Sequence, residues 1–292
     1  MYKRQFISSI SKPRKVLVLV PSGPALDEVI SLLIQYLDSN DILIDAGNTN
    51  PNVSFENHQT IKSKNLLYLG MGVSGGVKGV LEGPSIMIGG DTNAFDQVKN
   101  IFSQITSKTI NGSKSFEFFG DSNQGHFVKM IHNGIEYVEM QLISSIYYLM
   151  INSKKYMYDD VAKIFKKWND IDLNSYLLEI SLLKLTEKTD DIYLLDRIDD
   201  KADDNGTGRW MLKHAVDLGC SVSMLNSAID SRFISNNNNT RSKANKLIIE
   251  DKKEYDIDFE SLANAYRFCS CLLYTSDAAD EGLGVDLGGR RI

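Results

Sequence analysis

Lys129, His132, Asn133, Glu136 and Tyr137 fall inside one run, GHFVKMIHNGIEYVEMQ, from Gly125 to Gln141. At about 100° per residue counted from Lys129, a helix gathers all five into a polar arc of roughly 140°. Phe127, Met130, Ile131, Gly134, Ile135 and Val138 take the opposite arc. The spacing therefore predicts a helix that packs one face and presents an amine, an imidazole, an amide, a carboxylate and a phenol on the other. Lys129 and Glu136, two turns apart, are a base and an acid that can face different atoms of one ligand. A mixed face with Lys and Glu also reads as an ordinary solvated surface, and the spacing alone leaves both readings open.

Three other stretches could take part. The run GMGVSGG, Gly70 to Gly76, offers small residues whose backbone N–H groups suit a carboxylate or phosphate; a tight turn is the alternative. In NGTGRW, Asn205 to Trp210, Thr207 and Arg209 open a helix whose start favours an anion, unless the polar residues merely cap it. Arg232 is a lone arginine in a helical pattern and, taken alone, reads as surface.

The elements that position these residues change character along the chain. KVLVLV, Lys15 to Val20, is a β-branched apolar run closed by Pro21, Ser22, Gly23 and Pro24, and reads as a buried strand. Helical spacing follows over Ala25 to Tyr36, then a strand at Ile42 to Ile44 that ends in Asp45, Ala46 and Gly47. A polar helix over Ser54 to Lys64, strands at Leu66 to Leu69 and Ser85 to Ile88, and a helix over Thr92 to Ile105 complete the alternation. Strands alternating with helices imply a doubly wound, mainly parallel sheet, whose loops after Val20, Asp45 and Leu69 should line one crevice. No strand is followed by a G-x-G-x-x-G turn, so either the sheet is not a dinucleotide fold or its first half is absent. Beyond about Asp121 the pattern is all helical: Gln124 to Met150, Tyr158 to Asn169, Ser175 to Thr186, Thr207 to Leu218 and Ser221 to Ser235. Asn236 to Asn239 reads as a polar loop and Asp190 to Asp204 as a solvated acidic connector.

Composition narrows the classes. Of 292 residues 42% are hydrophobic and 24% charged, and the net charge of −6 lacks the basic balance of a nucleic-acid binder. Cys220, Cys269 and Cys271 form no disulfide or metal framework, no His, Asp or Glu cluster has metal-ligand spacing, and no apolar run reaches a membrane span. A reducing, aqueous compartment, the cytoplasm, is the expectation. Both ends read as foreign. Residues 1–5 are what a GTG start followed by TAT AAG AGA CAG encodes, the end of a common transposase sequencing adapter, and 271–292 fit the same adapter reversed. The expected organisation is therefore a partial sheet domain over 6–121 and a truncated helical domain over 122–270.

At HNGIEY and GVSGG the chain closely resembles the 6-phosphogluconate dehydrogenase family, over nearly all of Phe6 to Ser270. The resemblance implies oxidative decarboxylation of 6-phosphogluconate to ribulose 5-phosphate with reduction of NADP, in the pentose phosphate pathway, by a homodimer that needs no metal. It assigns base and acid to Lys129 and Glu136, with Lys129 neutral when it acts. It places Val20, Pro21, Ser22, Ala25 and Asn48 at the cofactor, and Asn48, Ser74, Gly75, Gly76, His132, Asn133, Tyr137, Thr207 and Arg232 at the substrate. Asn205 stands where the family carries a lysine, leaving Arg209 as the nearest cation one turn on, and Pro21 and Ser22 replace a lysine-bearing turn. Val77 and Lys78 replace acidic residues, and the first crossover unit has no counterpart. These departures imply an inactive fragment of an active parent. A related dehydrogenase of small β-hydroxyacids, and a catalytically dead paralogue kept for binding or subunit association, are the alternatives.

Overall fold

The structure, a computed structural model, describes residues 2–109, 112–153, 155–247 and 255–275. It falls into two compact units, the first ending at His132 and the second beginning at Asn133. The adapter-like stretch at 271–292 lies outside the described residues from 276 onward, as does Met1.

The first unit opens with α1 (Tyr2–Ser9), which runs through Gln5 and Phe6 and buries Ile7. β1 (Lys15–Val18), α2 (Pro24–Leu33), β2 (Ile42–Asp45), α3 (Pro51–Lys62), β3 (Leu67–Ser74), α4 (Gly76–Glu82), β4 (Ser85–Gly90), α5 (Thr92–Ile105) and β5 (Phe116–Phe118) follow. The five strands form one sheet in the order β1-β2-β3-β4-β5, every pair parallel except β3 with β4. Continuous apolar runs are needed because both faces are covered. Within β2, Leu43 joins Leu26, Ile30 and Ile61 from α2 and α3, while Ile42 and Ile44 join Ala94, Val98 and Phe102 of α5.

Two expectations change here. The glycine run is not a loop from Gly70. β3 extends to Ser74 because β4 pairs with it antiparallel, from Leu69 opposite Gly90 to Ser74 opposite Ser85, so only Gly75 and Gly76 remain in the turn. The loop expected after Leu69 therefore does not exist, and β3 itself continues past the ends of β1 and β2. α4 and β5 carry too little apolar periodicity to be read from sequence.

α6 (Gln124–Asn152) begins in the first unit and ends in the second. The second unit continues with α7 (Tyr158–Asn169), α8 (Tyr176–Thr186), a hairpin of β6 (Lys188–Thr189) and β7 (Ile192–Tyr193), α9 (Thr207–Asp217), α10 (Ser223–Asn236), α11 (Asn238–Asn245) and α12 (Phe259–Thr275). α7 shows why such segments fold. Val161, Ala162, Phe165 and Trp168 make one buried stripe, with Asp159 and Asp160 in the first turn and Lys166 and Lys167 in the last, complementing the helix dipole. Burial of Phe165 stabilises this unit by about 1.5–3 kcal/mol, against Met150, Leu178, Leu185 and Tyr266 in the same cluster.

The acidic connector is more than solvated chain. Asp190 and Asp191 both adopt positive φ, the backbone of a two-residue hairpin turn, and Tyr193 hydrogen-bonds Asp159 at 2.7 Å. The asparagine run is also not a loop, since Asn237 closes α10 and its side chain caps α11 through Thr240 N–H at 3.3 Å.

Candidate functional site

Parallel pairing sets Val18 opposite Asp45 and Asp45 opposite Gly70, so the turns after β1 and β2 share one edge of the sheet. Asp45, fully buried, organises the second turn. Its carboxylate accepts from Gly47 N–H at 3.0 Å, Thr49 hydroxyl at 2.8 Å and Tyr68 hydroxyl at 3.3 Å. Asn48 sits on the turn so held, half-buried, and its side chain has no hydrogen-bond partner among the described residues. Gly47 passes so close to Val20 that a Cβ there would lie 3.0 Å from the Val20 carbonyl oxygen, which brings the Val20, Pro21, Ser22 loop beside Asn48. α2 then starts at Gly23 without a side-chain cap, with Pro24 in its first turn and Ala25 exposed.

Lys129 is placed by α6 lying directly on β3. At Gly72 a Cβ would collide with Lys129 Cβ, so helix and strand approach this closely only because residue 72 has no side chain. Lys129 is 9% exposed, which removes the solvated-face reading of its stripe. One turn on, His132 Nε2 lies 3.4 Å from Ser74 Oγ at the end of β3, a long hydrogen-bond contact. Ser74, Gly75 and Gly76 form the turn into α4, with Gly75 as an N-cap at φ 133° and no side chain capping the helix. Ser74, Gly75, Gly76, Lys129 and His132 are thus assembled within the first unit.

In the second unit the stripe continues through Asn133, Glu136 and Tyr137, and Asn133 and Tyr137 are buried. The Tyr137 hydroxyl reaches Asn205 Oδ1 at 3.0 Å and Asp204 Oδ1 at 3.2 Å, and its ring rests on Gly208. Burial pushes the Tyr137 phenol up from its ordinary range, and the nearby Asp204 carboxylate adds to the rise, against Thr207 and Arg232. Arg232 is not a free surface residue. Its guanidinium lies over the Tyr137 ring at 3.9 Å and donates to the Asp203 carbonyl at 2.6 Å.

The start of α9 is closed by the chain itself. Asp204 accepts from Gly206 N–H at 2.7 Å, while Asn205 accepts from Thr207 N–H at 3.3 Å and from its hydroxyl at 2.7 Å. Arg209 pairs with Asp204 at 2.6 Å, so the cation one turn beyond Asn205 is already neutralised. Sequence reasoning missed Asp204, hidden in an acidic run, and the buried polar set Asp45, Ser54, Tyr68 and His126. His126 was legible as the first histidine of the motif run, but helical spacing alone gave it no role.

Comparison with known proteins turns this geometry into a family. Residues 2–113 match the NAD binding domain of 6-phosphogluconate dehydrogenase, and residues 125–278 match the 6-phosphogluconate dehydrogenase C-terminal domain. The chain belongs to the 6-phosphogluconate dehydrogenase family. A Staphylococcus aureus 6-phosphogluconate dehydrogenase, decarboxylating, is 38% identical over 257 residues, 87% of this chain and 54% of that protein. The chain thus spans about half the length of the curated relatives it matches. The Plasmodium falciparum 6-phosphogluconate dehydrogenase structure, determined apo, with NADP+ and with 6-phosphogluconate, superposes with a TM-score of 0.88 at 36% identity, covering 97% of this chain and 62% of that one. A Mycobacterium tuberculosis 3-hydroxyisobutyrate dehydrogenase superposes at 0.58 with 16% identity, over 89% of this chain and 82% of that one; that likeness shows a shared fold alone. Among the described residues no helix of this family member is long and apolar enough to cross a membrane.

Proposed function

We propose that the protein from which this chain comes carries out the NADP-linked oxidative decarboxylation of 6-phosphogluconate to ribulose 5-phosphate and carbon dioxide, as a cytoplasmic homodimer. The observation that carries this reading is Lys129, buried and fixed over Gly72, with Ser74 and His132 one turn along. On this reading residues 6–121 hold the cofactor and 122–270 the substrate and catalytic groups.

The groups at the sheet edge fit the cofactor. Val20, Pro21, Ser22 and Ala25 supply a backbone loop and helix start, and the Asn48 amide, held by the Asp45 turn, is available to a carboxamide and a hydroxyl. When bound, NADP supplies the acceptor for the hydrogen leaving C3 of the sugar acid. Lys129 Nζ, neutral at that moment, takes the proton from the C3 hydroxyl. The ammonium so formed donates back to the C3 carbonyl oxygen and steadies the electrons released as the carboxylate leaves. Glu136, in its acid form, then protonates C1 of the enediol. On this reading Ser74, Gly75 and Gly76 hold the carboxylate and hydroxyl side of the substrate, His132, Asn133, Tyr137 and Thr207 are further substrate contacts, and Arg232 binds its phosphate.

The test uses a version carried to the full length of its relatives. NADPH formation with 6-phosphogluconate supports the reading; turnover of hydroxyisobutyrate with none of 6-phosphogluconate overturns it. Glu136→Gln sharpens it through the order of the chemistry. A burst of NADPH followed by slow pentose release is expected, because the base for the first step remains, whereas unchanged multiple turnover removes Glu136 from the acid role.

A further inference from the structure

His126 is 1% exposed, sits one turn before Lys129, and has no part in the chemistry above. Its ring lies on Gly70, where a Cβ would come within 2.9 Å of Nδ1, just as Lys129 lies on Gly72. The two helix residues are therefore fixed against the same face of β3. From Nδ1 an unbroken set of polar contacts leads away from the helix: 2.8 Å to Ser54 Oγ on α3, 3.1 Å from there to the Tyr68 hydroxyl on β3, and 3.3 Å on to Asp45 Oδ2 at the end of β2. Asp45 is the residue that shapes the turn bearing Asn48, through Gly47 and Thr49. A second, independent tie joins the same elements, since Asn123 Nδ2 donates to the Pro51 carbonyl at 2.9 Å.

We propose that His126 is a positioning residue: through Ser54, Tyr68 and Asp45 it locks the helix that carries Lys129 to the turn that carries Asn48, setting the spacing between the base and the cofactor-facing amide. The inference rests on the roles given to Lys129 and Asn48 above. Physically, the network is enclosed and made of groups that cannot be left unpaired without cost, so each contact restricts its neighbours more than an exposed hydrogen bond does. Burial pushes the imidazole down against the pull of the nearby Asp45 carboxylate, which fits a ring acting as a fixed neutral link. A shift of about 1 Å between reacting groups is enough to cost on the order of 10²-fold in rate.

The experiment has two arms. In the 292-residue chain, without cofactor, His126→Phe and the milder Tyr68→Phe are compared with the parent by amide hydrogen exchange. Faster exchange at Gly47, Asn48 and Thr49, with the core strands still protected, is expected of both. In the full-length version, each variant should lose about tenfold in kcat with little change in KM, a smaller loss than full misplacement allows because the Asn123 tie persists. His126→Asn, which keeps a polar group near the Nδ1 position, should recover part of it. If His126→Phe fails to fold, Tyr68→Phe decides alone, because it removes one hydroxyl and no volume. Unchanged exchange at the turn together with normal kcat in Tyr68→Phe overturns the proposal. An inactive full-length parent would instead defeat the functional reading and leave the exchange arm to decide whether the lock exists.

Discussion

Lys129 and Tyr137 stand about two turns apart on α6, each against a glycine of another element, yet they are held in different ways. At Gly72 the blocking atom is Lys129 Cβ, so helix axis and strand backbone are themselves in near contact. At Gly208 the blocking atoms are Cδ2 and Cε2 of the Tyr137 ring, each 2.7 Å from a Cβ placed there, and the ring is further tied by Asp204, Asn205 and Arg232. The first is backbone-tight packing, which fixes where a side chain starts. The second is a web of side-chain contacts, which fixes where a side chain ends. The proposed role of Lys129, reaching one proton, calls for the former; the proposed role of Tyr137, contacting the substrate, can be tuned by the latter.

The sharpest break of the first arrangement is chemical. Lys129→Met keeps the stem and removes the amine, and in the full-length version should lower kcat by about 10²-fold or more while substrate binding changes far less. Steady-state kinetics with separate substrate titration checks this, and near-normal turnover would take Lys129 out of the reaction. Next comes Gly72→Ala, which forces α6 away from β3. It should cost about 1–3 kcal/mol in urea unfolding of the 292-residue chain. Gly208→Ala should cost less, because a ring edge can tilt where a helix cannot shift. The reverse order would show that the Tyr137 web, not the α6–β3 contact, is the stiffer of the two. Tyr137→Phe follows at about 1 kcal/mol, since Asp204 keeps Arg209 and Gly206 N–H, and Asn205 keeps Thr207, when the phenol is removed.

The same contrast explains what the sequence disclosed. Local periodicity was enough for α5 and α7, whose observed limits, Thr92–Ile105 and Tyr158–Asn169, are those the apolar spacing implies. The doubly wound, mainly parallel sheet was likewise legible from alternating runs such as Lys15–Val18 and Ile42–Asp45. Gly70 to Ser74 was not, because its strand character comes from β4, a partner that no local pattern announces. Asp204 and Asn205 were hidden for a related reason. In an acidic, apolar-poor stretch nothing marks which carboxylate folds back on a helix start, and only the tertiary positions of Tyr137 and Arg209 decide it.

The smallest expected effect tests the first region through pH. Burial lowers the His126 imidazole below its ordinary value of 6.5, so the folded chain stays unprotonated where the unfolded chain takes up a proton. The unfolded state then binds more protons, and stability falls as pH drops below 6.5. The loss is bounded by the unfolded histidine alone, about 0.8 kcal/mol at pH 6. Among the carboxylates, burial pushes Glu139 up, which acts in the opposite sense as pH falls and can only narrow the separation. Asp38 is held low by Lys12 and Arg14, and Asp172 by Arg267, so their contributions disappear only as pH falls below the ordinary carboxylate value of 3.8. Urea midpoints of the 292-residue chain at pH 7 and pH 6 should therefore separate, and His126→Asn should close the gap because the group that takes up the proton in the unfolded chain is gone. Tyr137→Phe should leave the gap intact, since its phenol is pushed further up and carries no charge change in this range. A gap that survives His126→Asn would mean that the extra proton of the unfolded chain goes to a group other than His126, and that the enclosed imidazole is not what sets the pH dependence.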